Sequence, residues 1–375
     1  MRILISGYFG FRNLGDELIL HKEIEDVKEI VPDAEIIVWS GNPSYTEEFH
    51  GVKAVNRFSV DDTVDAVKES DVVIVGGGGL IHEYFGINVK DMFNSFGYNI
   101  PAYFIVPLIA KMFKKPLFYW CHGVGPIFSE DGKKLLSWFY SLSDFTTVRD
   151  RYSFNLLSSV SGLKPLVDID PVLAMDITKF LEKSWDFRDN PLIVGLNLRP
   201  WFGIDLLIDR LLPIVSEISR KYTNIIFVPI PFDLSDSGDK VVLRKFFEKF
   251  DEEGVRILDN ITSEKDVISL LSSVDLFIGM RYHSLILSFL LKKRSFAISY
   301  DSKTDELIRN LGIEGEDYLS FLENSNRKSI ENFILTNANK GKVASSIDFS
   351  FKKAYITPVK FKHFLKGLRG ESGKG

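Results

Sequence analysis

Cysteine is nearly absent: Cys121 is the single one in 375 residues, which excludes an internal disulfide and a cysteine-based zinc site. Net positive charge is lacking too. The formal charge of −5 argues against a broad nucleic-acid-binding surface, because phosphate contact needs a basic face. No run of about 18 uncharged apolar residues occurs, so no transmembrane helix is expected. Met1-Arg-Ile-Leu-Ile-Ser-Gly7 enters a strand directly and lacks a signal-peptide pattern, which fits a cytoplasmic enzyme or binding protein. Also missing are a GxGxxG fingerprint, a P-loop lysine and an HExxH helix, and Asp233, Asp236 and Asp239 lack EF-hand spacing. The expectation is therefore no metal, no nucleotide cofactor and no dehydrogenase chemistry.

What is present is an ordinary globular composition, 45% hydrophobic and 26% charged, in a chain too long for one simple core. The 31 phenylalanines fall largely in apolar runs and read as core filling. Charges gather on helix faces such as Glu23-Ile-Glu-Asp-Val-Lys-Glu29, read as solvated.

Short β-rich runs alternate with helical patterns, which implies parallel sheets covered by helices. Strands are expected in the first half at Arg2–Ser6, Glu35–Ser40, Lys53–Asn56, Asp71–Val75, Pro116–Cys121, Thr146–Arg149 and Leu166–Asp168. The pattern breaks over the polar stretch Asp176–Pro191. It restarts with strands at Leu192–Leu198, Ile225–Ile230, Val255–Leu258, Leu276–Ile278 and Ser295–Ser299. The fold class is thus α/β: a Rossmann-like domain over 1–182 and a second over 183–335, with ligands at the strands' carboxyl ends in the cleft between them. A tail over 336–375 follows. From Lys340 it carries nine lysines and arginines against Asp348 and Glu371, interleaved with Phe349, Phe351, Tyr355, Phe361 and Phe364. It reads either as contact with an anionic membrane or lipid diphosphate, or as a terminal segment packing its aromatics on the body.

The most informative motif is Gly279-Met-Arg-Tyr-His283, set between a short β-like run and the apolar helical stretch Ser284–Leu291. A strand-to-helix turn offers backbone N–H groups and a helix dipole to an anion. Arg281 can grip carboxylate or phosphate with two prongs, and His283 can donate a hydrogen bond or move a proton. The competing reading is an arginine capping carbonyls beside a core histidine.

Other polar residues gather at strand ends. Gly7–Glu17 holds three spaced glycines with Asn13, Asp16 and Glu17, which reads as a substrate loop supplying a carboxylate, although Asp16 can simply cap a helix. Gly76–Gly79, with Gly77 and Gly78 at its centre, leaves room and N–H groups for a ligand. His82 and Glu83 follow on an expected first helical turn, and either can exchange a proton with a sugar hydroxyl. Cys121-His-Gly-Val-Gly-Pro126 puts His122 at the mouth of a turn. Arg149 is a second anion contact or half of a pair with Asp150, with Ser153 close behind at a helix start. Asp168 and Asp170 read as turn-forming, and Asn197 and Arg199 end the first strand of the second half. Tyr8, Phe9, Phe11, Trp39 and Trp201 are aromatics able to stack on a sugar, or simply core.

Gly7–Glu17, Val75–Leu80, His122–Pro126, Val148–Ser153, Asp170-Pro171 and Ile278–Ser284, taken together and in order, resemble the polysaccharide pyruvyl transferase family. The resemblance implies a GT-B-like fold and transfer of the enolpyruvyl part of phosphoenolpyruvate to a sugar of a cell-surface glycan or its precursor, free, lipid-linked or polymeric, forming a pyruvate ketal. It implies that Arg281 and His283 engage phosphoenolpyruvate, with Arg149 a further contact; Asn13, Gly77, Gly78, His122, Gly279 and Ser284 are the other candidates for lining the substrates, the role of His122 staying open. Histidine stands at His122 where relatives commonly carry glutamine. Ketal formation needs both an acid and a base, drawn from Asp16, Glu17 or His82 beside His283. On this reading Arg281→Ala and His283→Ala each cut turnover by orders of magnitude with little change in thermal stability. The alternatives are a GT-B glycosyltransferase using a nucleotide sugar and a non-catalytic sensor of sugar or phosphate ligands.

Overall fold

A computed structural model describes residues 1–88, 90, 100–182, 185, 187, 191–313, 318–320, 327–338 and 354–370. The chain forms two compact units, one of Met1–Phe11, Asp16–Met175 and Lys352–Gly375, the other of Arg12–Gly15 and Asp176–Phe351. The four residues Arg12–Gly15, in the first turn of the sequence, thus belong to the second unit.

The first unit runs β1 (Arg2–Ser6), α1 (Leu14–Ile30), β2 (Glu35–Ser40), α2 (Pro43–His50), β3 (Lys53–Asn56), α3 (Val60–Glu69), β4 (Val72–Val75) and β5 (Gly78–Ile81). It continues through α4 (Ile105–Met112), β6 (Leu117–Val124), α5 (Glu130–Ser141), β7 (Phe145–Val148), α6 (Arg151–Ser161) and β8 (Leu166–Val167). The strands are parallel in the order β3-β2-β1-β4-β6-β7-β8, with β5 added beside β6. The central strands β1, β2, β4 and β6 are buried along nearly their whole length, as helix-covered parallel strands require, whereas the edge strands β3 and β8 are partly exposed.

The second unit holds β9 (Leu192–Leu196), α7 (Ile204–Lys221), β10 (Ile225–Pro229), α8 (Asp239–Phe247), α9 (Glu252–Asn260), α10 (Glu264–Ser273), β11 (Leu276–Gly279) and α11 (Tyr282–Leu290). After these come β12 (Arg294–Ser299), α12 (Ser302–Asn310), β13 (Tyr318–Ser320) and α13 (Arg327–Ala338). Its five parallel strands are ordered β10-β9-β11-β12-β13. The strand order reverses direction beside β9 and β11, where ligand sites form in such sheets.

Several expectations are corrected. Val255–Leu258 is helical: Asp251 caps α9, acids Glu252 and Glu253 fill its first turn, and Gly254, Ile257 and Leu258 recur at helical spacing on its buried side. Gly78–Ile81 is a strand rather than an open turn, because it pairs with a β6 that runs on to Val124 instead of stopping at Cys121. His82 and Glu83 follow that strand outside any helix. The face at Glu23–Glu29 is not solvated throughout, since Glu23 and Asp26 are buried. Within the break at Asp176–Pro191, Asp189 and Asn190 lie outside the described residues.

The tail does not stand apart in its described portion. α14 (Thr357–Leu368) buries Phe361 and Leu365 on the first unit, with Phe361 and Phe364 against Phe118. The Asp168 carboxylate accepts from the backbone N–H groups of Ile356 and Thr357 and from the Thr357 hydroxyl (2.9, 2.6 and 2.6 Å), and Trp120 Nε1 donates to the Tyr355 hydroxyl at 2.8 Å. Tyr355, Phe361 and Phe364 are thus packed on the body, as one of the two readings of the tail expects. Lys340, Lys342, Asp348, Phe349, Phe351, Lys352, Lys353, Glu371 and Lys374 lie outside the described residues. No helix among the described residues is long and apolar enough to cross a membrane.

Candidate functional site

The carboxyl ends of β9, β10, β11 and β12 converge on Arg281. This residue is the N-cap of α11, extended in backbone, so the chain turns there from strand to helix. Its guanidinium is buried and carries two partners. Nε and Nη2 donate to the Asp239 carboxylate at 2.8 and 2.6 Å, and Nη2 also donates to Asp233 at 3.0 Å. Asp239 opens α8 and is fully buried. It also accepts from the Asn197 amide at 3.1 Å and the Phe232 N–H at 2.9 Å. Asn197, at the end of β9, closes the lattice by accepting the Arg281 backbone N–H at 3.0 Å.

The electrostatics follow from that geometry. Burial alone disfavours the charge on Arg281, but the carboxylates of Asp239 and Asp233 more than offset it and hold the guanidinium protonated more firmly than usual. Burial pushes the Asp239 carboxyl up, and Arg281 pulls it partly back. The expectation that Arg281→Ala leaves stability nearly unchanged is therefore corrected: removal of Arg281 strands a buried carboxylate.

His283 sits one turn into α11. A Cβ on Gly15 would lie 2.1 Å from its Nδ1, so the imidazole packs against the backbone where only glycine leaves space. The same loop is fastened to this unit through a bridge between Asn13 and Asp233, the Leu14 N–H donating to Phe232 at 2.8 Å and the Leu234 N–H donating to Arg12 at 3.0 Å. Asn13, Gly15, Arg281 and His283 are thus brought together by the tertiary structure, although some 270 residues of sequence separate them.

Gly279 and Ser284 shape the turn from inside. A Cβ on Gly279 would meet the Phe277 ring at 2.4 Å and Ser284 Oγ at 2.9 Å, while the Ser284 hydroxyl donates to the Arg281 carbonyl at 2.7 Å. Both are buried, and Ser284 ties the loop to the first turn of α11. Arg199, beyond β9, donates to the Tyr300 hydroxyl at 2.7 Å and lies over the rings of Trp201 and Tyr300, each at 5.1 Å. Burial pushes the Tyr300 hydroxyl up, and the charges of Arg199 and Arg281 act against that. Asn197, Arg199 and Tyr300 sit just past strand ends, and Asp233 and Asp239 follow the end of β10, in its loop and at the start of α8. Their shared position at those ends is the sequence signal that could have found them.

In the first unit several of the expected site residues have partners within the fold. His122 is fully buried, with Nδ1 2.9 Å from the Tyr140 hydroxyl and Nε2 3.0 Å from the Val75 carbonyl; burial lowers its pKa to about 4. It is a neutral core histidine because β6 carries it inside the sheet. Arg149 donates to Asp170 at 2.9 Å with Asp150 at 3.5 Å, and its guanidinium lies so close to Gly123 that a Cβ there would meet it at 2.6 Å. Asp170 in turn accepts from the Val172 N–H, so the Asp170-Pro171 step is a fastening for Arg149. Gly77 donates its N–H to the buried Glu23 carboxyl at 2.6 Å rather than offering it to a ligand, and burial raises that carboxyl well above its usual range.

Glu17 is also structural. Its carboxylate accepts from the N–H groups of Gly10 and Phe11 (2.9 and 3.2 Å), with His50 Nε2 3.1 Å away. Asp16 lies in the first turn of α1 rather than at its cap, where a Cβ on Gly78 would meet its carboxylate at 2.8 Å. His82 is half-buried beside Tyr84 and the exposed Phe85. Glu83 accepts from the N–H groups of Phe128 and Ser129 at 2.6 and 2.9 Å. Burial would raise it, but these bonds from Ser129 and Phe128 win and hold it low. Of the aromatics, Phe9 and Trp39 are core, whereas Trp201 stacks beside Tyr300.

The profile of the family described as polysaccharide pyruvyl transferase matches residues 13–302. Nothing among curated proteins matches the chain in sequence. Three solved structures illustrate the fold it shares. UDP-GlcNAc 2-epimerase from Neisseria meningitidis bound to UDP-GlcNAc is 14% identical with a TM-score of 0.59, covering 99% of this chain and 100% of its own. S. aureus MnaA with UDP is 11% identical at 0.63, covering 99% and 97%. Anabaena Alr3699/HepE in complex with UDP is 14% identical at 0.58, covering 99% and 100%. At such identities the likeness concerns the fold, which is α/β with parallel sheets and GT-B-like.

Proposed function

The chain belongs to the polysaccharide pyruvyl transferase family, and from that premise we propose that it transfers the pyruvyl group of phosphoenolpyruvate to a sugar of a cell-surface glycan or its precursor, forming a ketal. The observation that carries this reading is the family match over residues 13–302, which takes in both the Asn13–Gly15 loop and the Arg281–His283 turn that pack together. The donor is phosphoenolpyruvate, no further cofactor enters, and the setting is cytoplasmic.

In this mechanism the donor's phosphate and carboxylate approach Arg281 and His283 at the start of α11, where the helix dipole favours negative charge. Asp233 must loosen its hold on Arg281 Nη2, since a donor oxygen competes for the same N–H groups. Asp239 stays and fixes the guanidinium plane. The methylene carbon takes a proton, a sugar hydroxyl attacks the adjacent carbon, and the C–O bond to phosphate breaks. A second hydroxyl closes the ketal and its proton leaves with phosphate. His283 supplies or receives a proton beside the departing phosphate. Of the expected acceptor-side groups, Asp16, Glu17 and His82, the Glu17 carboxylate accepts from the Gly10 and Phe11 N–H groups.

The test is phosphate release from phosphoenolpyruvate across a panel of sugar acceptors, read alongside heat stabilisation by phosphoenolpyruvate and by nucleotide sugars. His283→Ala is expected to lower turnover by about 100-fold or more. Stabilisation by a nucleotide sugar alone, with no phosphate released from phosphoenolpyruvate, would favour glycosyl transfer and sink the proposal.

A further inference from the structure

A cleft of about 600 Å³ in the second unit is not used by the Arg281 site. It is lined by α8, by the turn after β10, by Ile261 and Thr262, and by Arg12. Four cations reach it, Arg12, Lys240, Arg244 and Lys245, against the two acids Asp236 and Glu248. Lys240 and Arg244 stand four residues apart on α8, where like charges repel on the same helix face.

Each cation is held in place from the side. Arg12 donates to Glu264 at 3.3 Å and to the Thr262 carbonyl at 2.6 Å, and Lys240 donates to the Ile261 carbonyl. Arg244 pairs with Asp259 and Lys245 with Asp205, neither of which lines the cleft. The volume far exceeds that of one inorganic anion, and Leu234, Val241 and Ile261 supply apolar wall.

We propose that this cleft binds the phosphoryl group of an organic ligand, a sugar phosphate or a lipid diphosphate headgroup, with Lys240, Arg244 and Arg12 as its cationic contacts. Burial, and then the charges of Arg12 and Arg244, pull the Lys240 ammonium below its usual range, a tension that a bound anion relieves. The occupant also reaches the Arg281 site through one strap of chain. Leu234 and Asp236 line the cleft, while Asp233 beside them pairs with Asn13 and accepts from Arg281 at 3.0 Å. The inference stands on these residues and does not rest on pyruvyl transfer.

Titration calorimetry on the intact protein with inorganic phosphate, glucose 1-phosphate and farnesyl diphosphate tests it, using wild type, Arg244→Gln, Lys240→Gln and, as a control, His283→Ala. The Arg244 side chain is only partly buried and ends in a surface pair with Asp259, so Arg244→Gln disturbs the fold less than Lys240→Gln, which loosens the Ile261 contact. Saturable binding of at least one organic probe, weakened about tenfold by Arg244→Gln and unchanged by His283→Ala, is the expected result. Preference for glucose 1-phosphate or for farnesyl diphosphate identifies the source of the phosphoryl group. Absence of saturable binding by both organic probes overturns the proposal, as does an affinity lowered by His283→Ala but untouched by Arg244→Gln.

Discussion

The two units handle buried charge in opposite ways. In the first, Arg149 is locked to Asp170, Glu17 to the Gly10–Phe11 turn, Glu23 to Gly77 and His122 to Tyr140 and Val75, and all four are buried. In the second, Arg281, Asp239, Asp233 and Asn197 meet past the ends of the strands, with His283, Arg199 and Tyr300 at neighbouring ends. The difference teaches that a polar residue next to a strand terminus is informative only if the strand stops there. β6 runs three residues past its expected end, and that extension converts the His122 segment from a mouth into a core.

The comparison can be broken most forcefully at Asp239. Asp239→Ala leaves the buried Arg281 guanidinium without its bidentate partner and is expected to cost about 3–5 kcal/mol of stability, along with activity. Calorimetric melting reads this directly, and an unchanged melting temperature would mean that the pair carries no structural weight. Next in size is Arg149→Ala, expected to destabilise the first unit by about 3 kcal/mol while leaving the Michaelis constant for the proposed donor, phosphoenolpyruvate, unaltered in the folded protein. A raised Michaelis constant with an intact melting curve would return Arg149 to the ligand contacts and erase the contrast between the units.

The smallest effect at neutral pH belongs to His122. Its folded pKa of about 4 lies below the ordinary value of 6.5, so the neutral ring's stabilisation is complete above pH 6.5 and drains away as pH falls toward 4. The loss reaches about 3 kcal/mol at the acid end. His122→Gln removes this dependence. Melting temperatures of wild type and variant should therefore run parallel above pH 7, with wild type falling more steeply below pH 6; parallel curves down to pH 4 would contradict a neutral core imidazole.

Much of the fold was legible. β1 and β2 coincide with the runs Arg2–Ser6 and Glu35–Ser40, because strands buried on both faces write themselves as continuous apolar stretches, and the edge strand β3 coincides with Lys53–Asn56. Val255–Leu258 misled because four residues of Val-Arg-Ile-Leu fit a strand as well as one buried helical turn, and the deciding Asp251 cap lies outside the run. At the candidate site the Arg281–His283 turn was visible from its position between strand and helix. The partners that define its chemistry were not, since Asp239 and Asn197 are 42 and 84 residues away in the chain.

Local patterning alone determined the alternation of strands and helices, the parallel character of the sheets and the placement of an arginine and a histidine at a helix start, because periodicity and burial are properties of neighbouring residues. Only the tertiary structure decided that Gly15 makes room for the His283 ring, that Asp239 and Asp233 balance Arg281, and that α14 returns to close the first unit. Those outcomes depend on which distant groups share a volume with little water. There the energy of a charge is set by its partners, and no spacing along the chain records who they are.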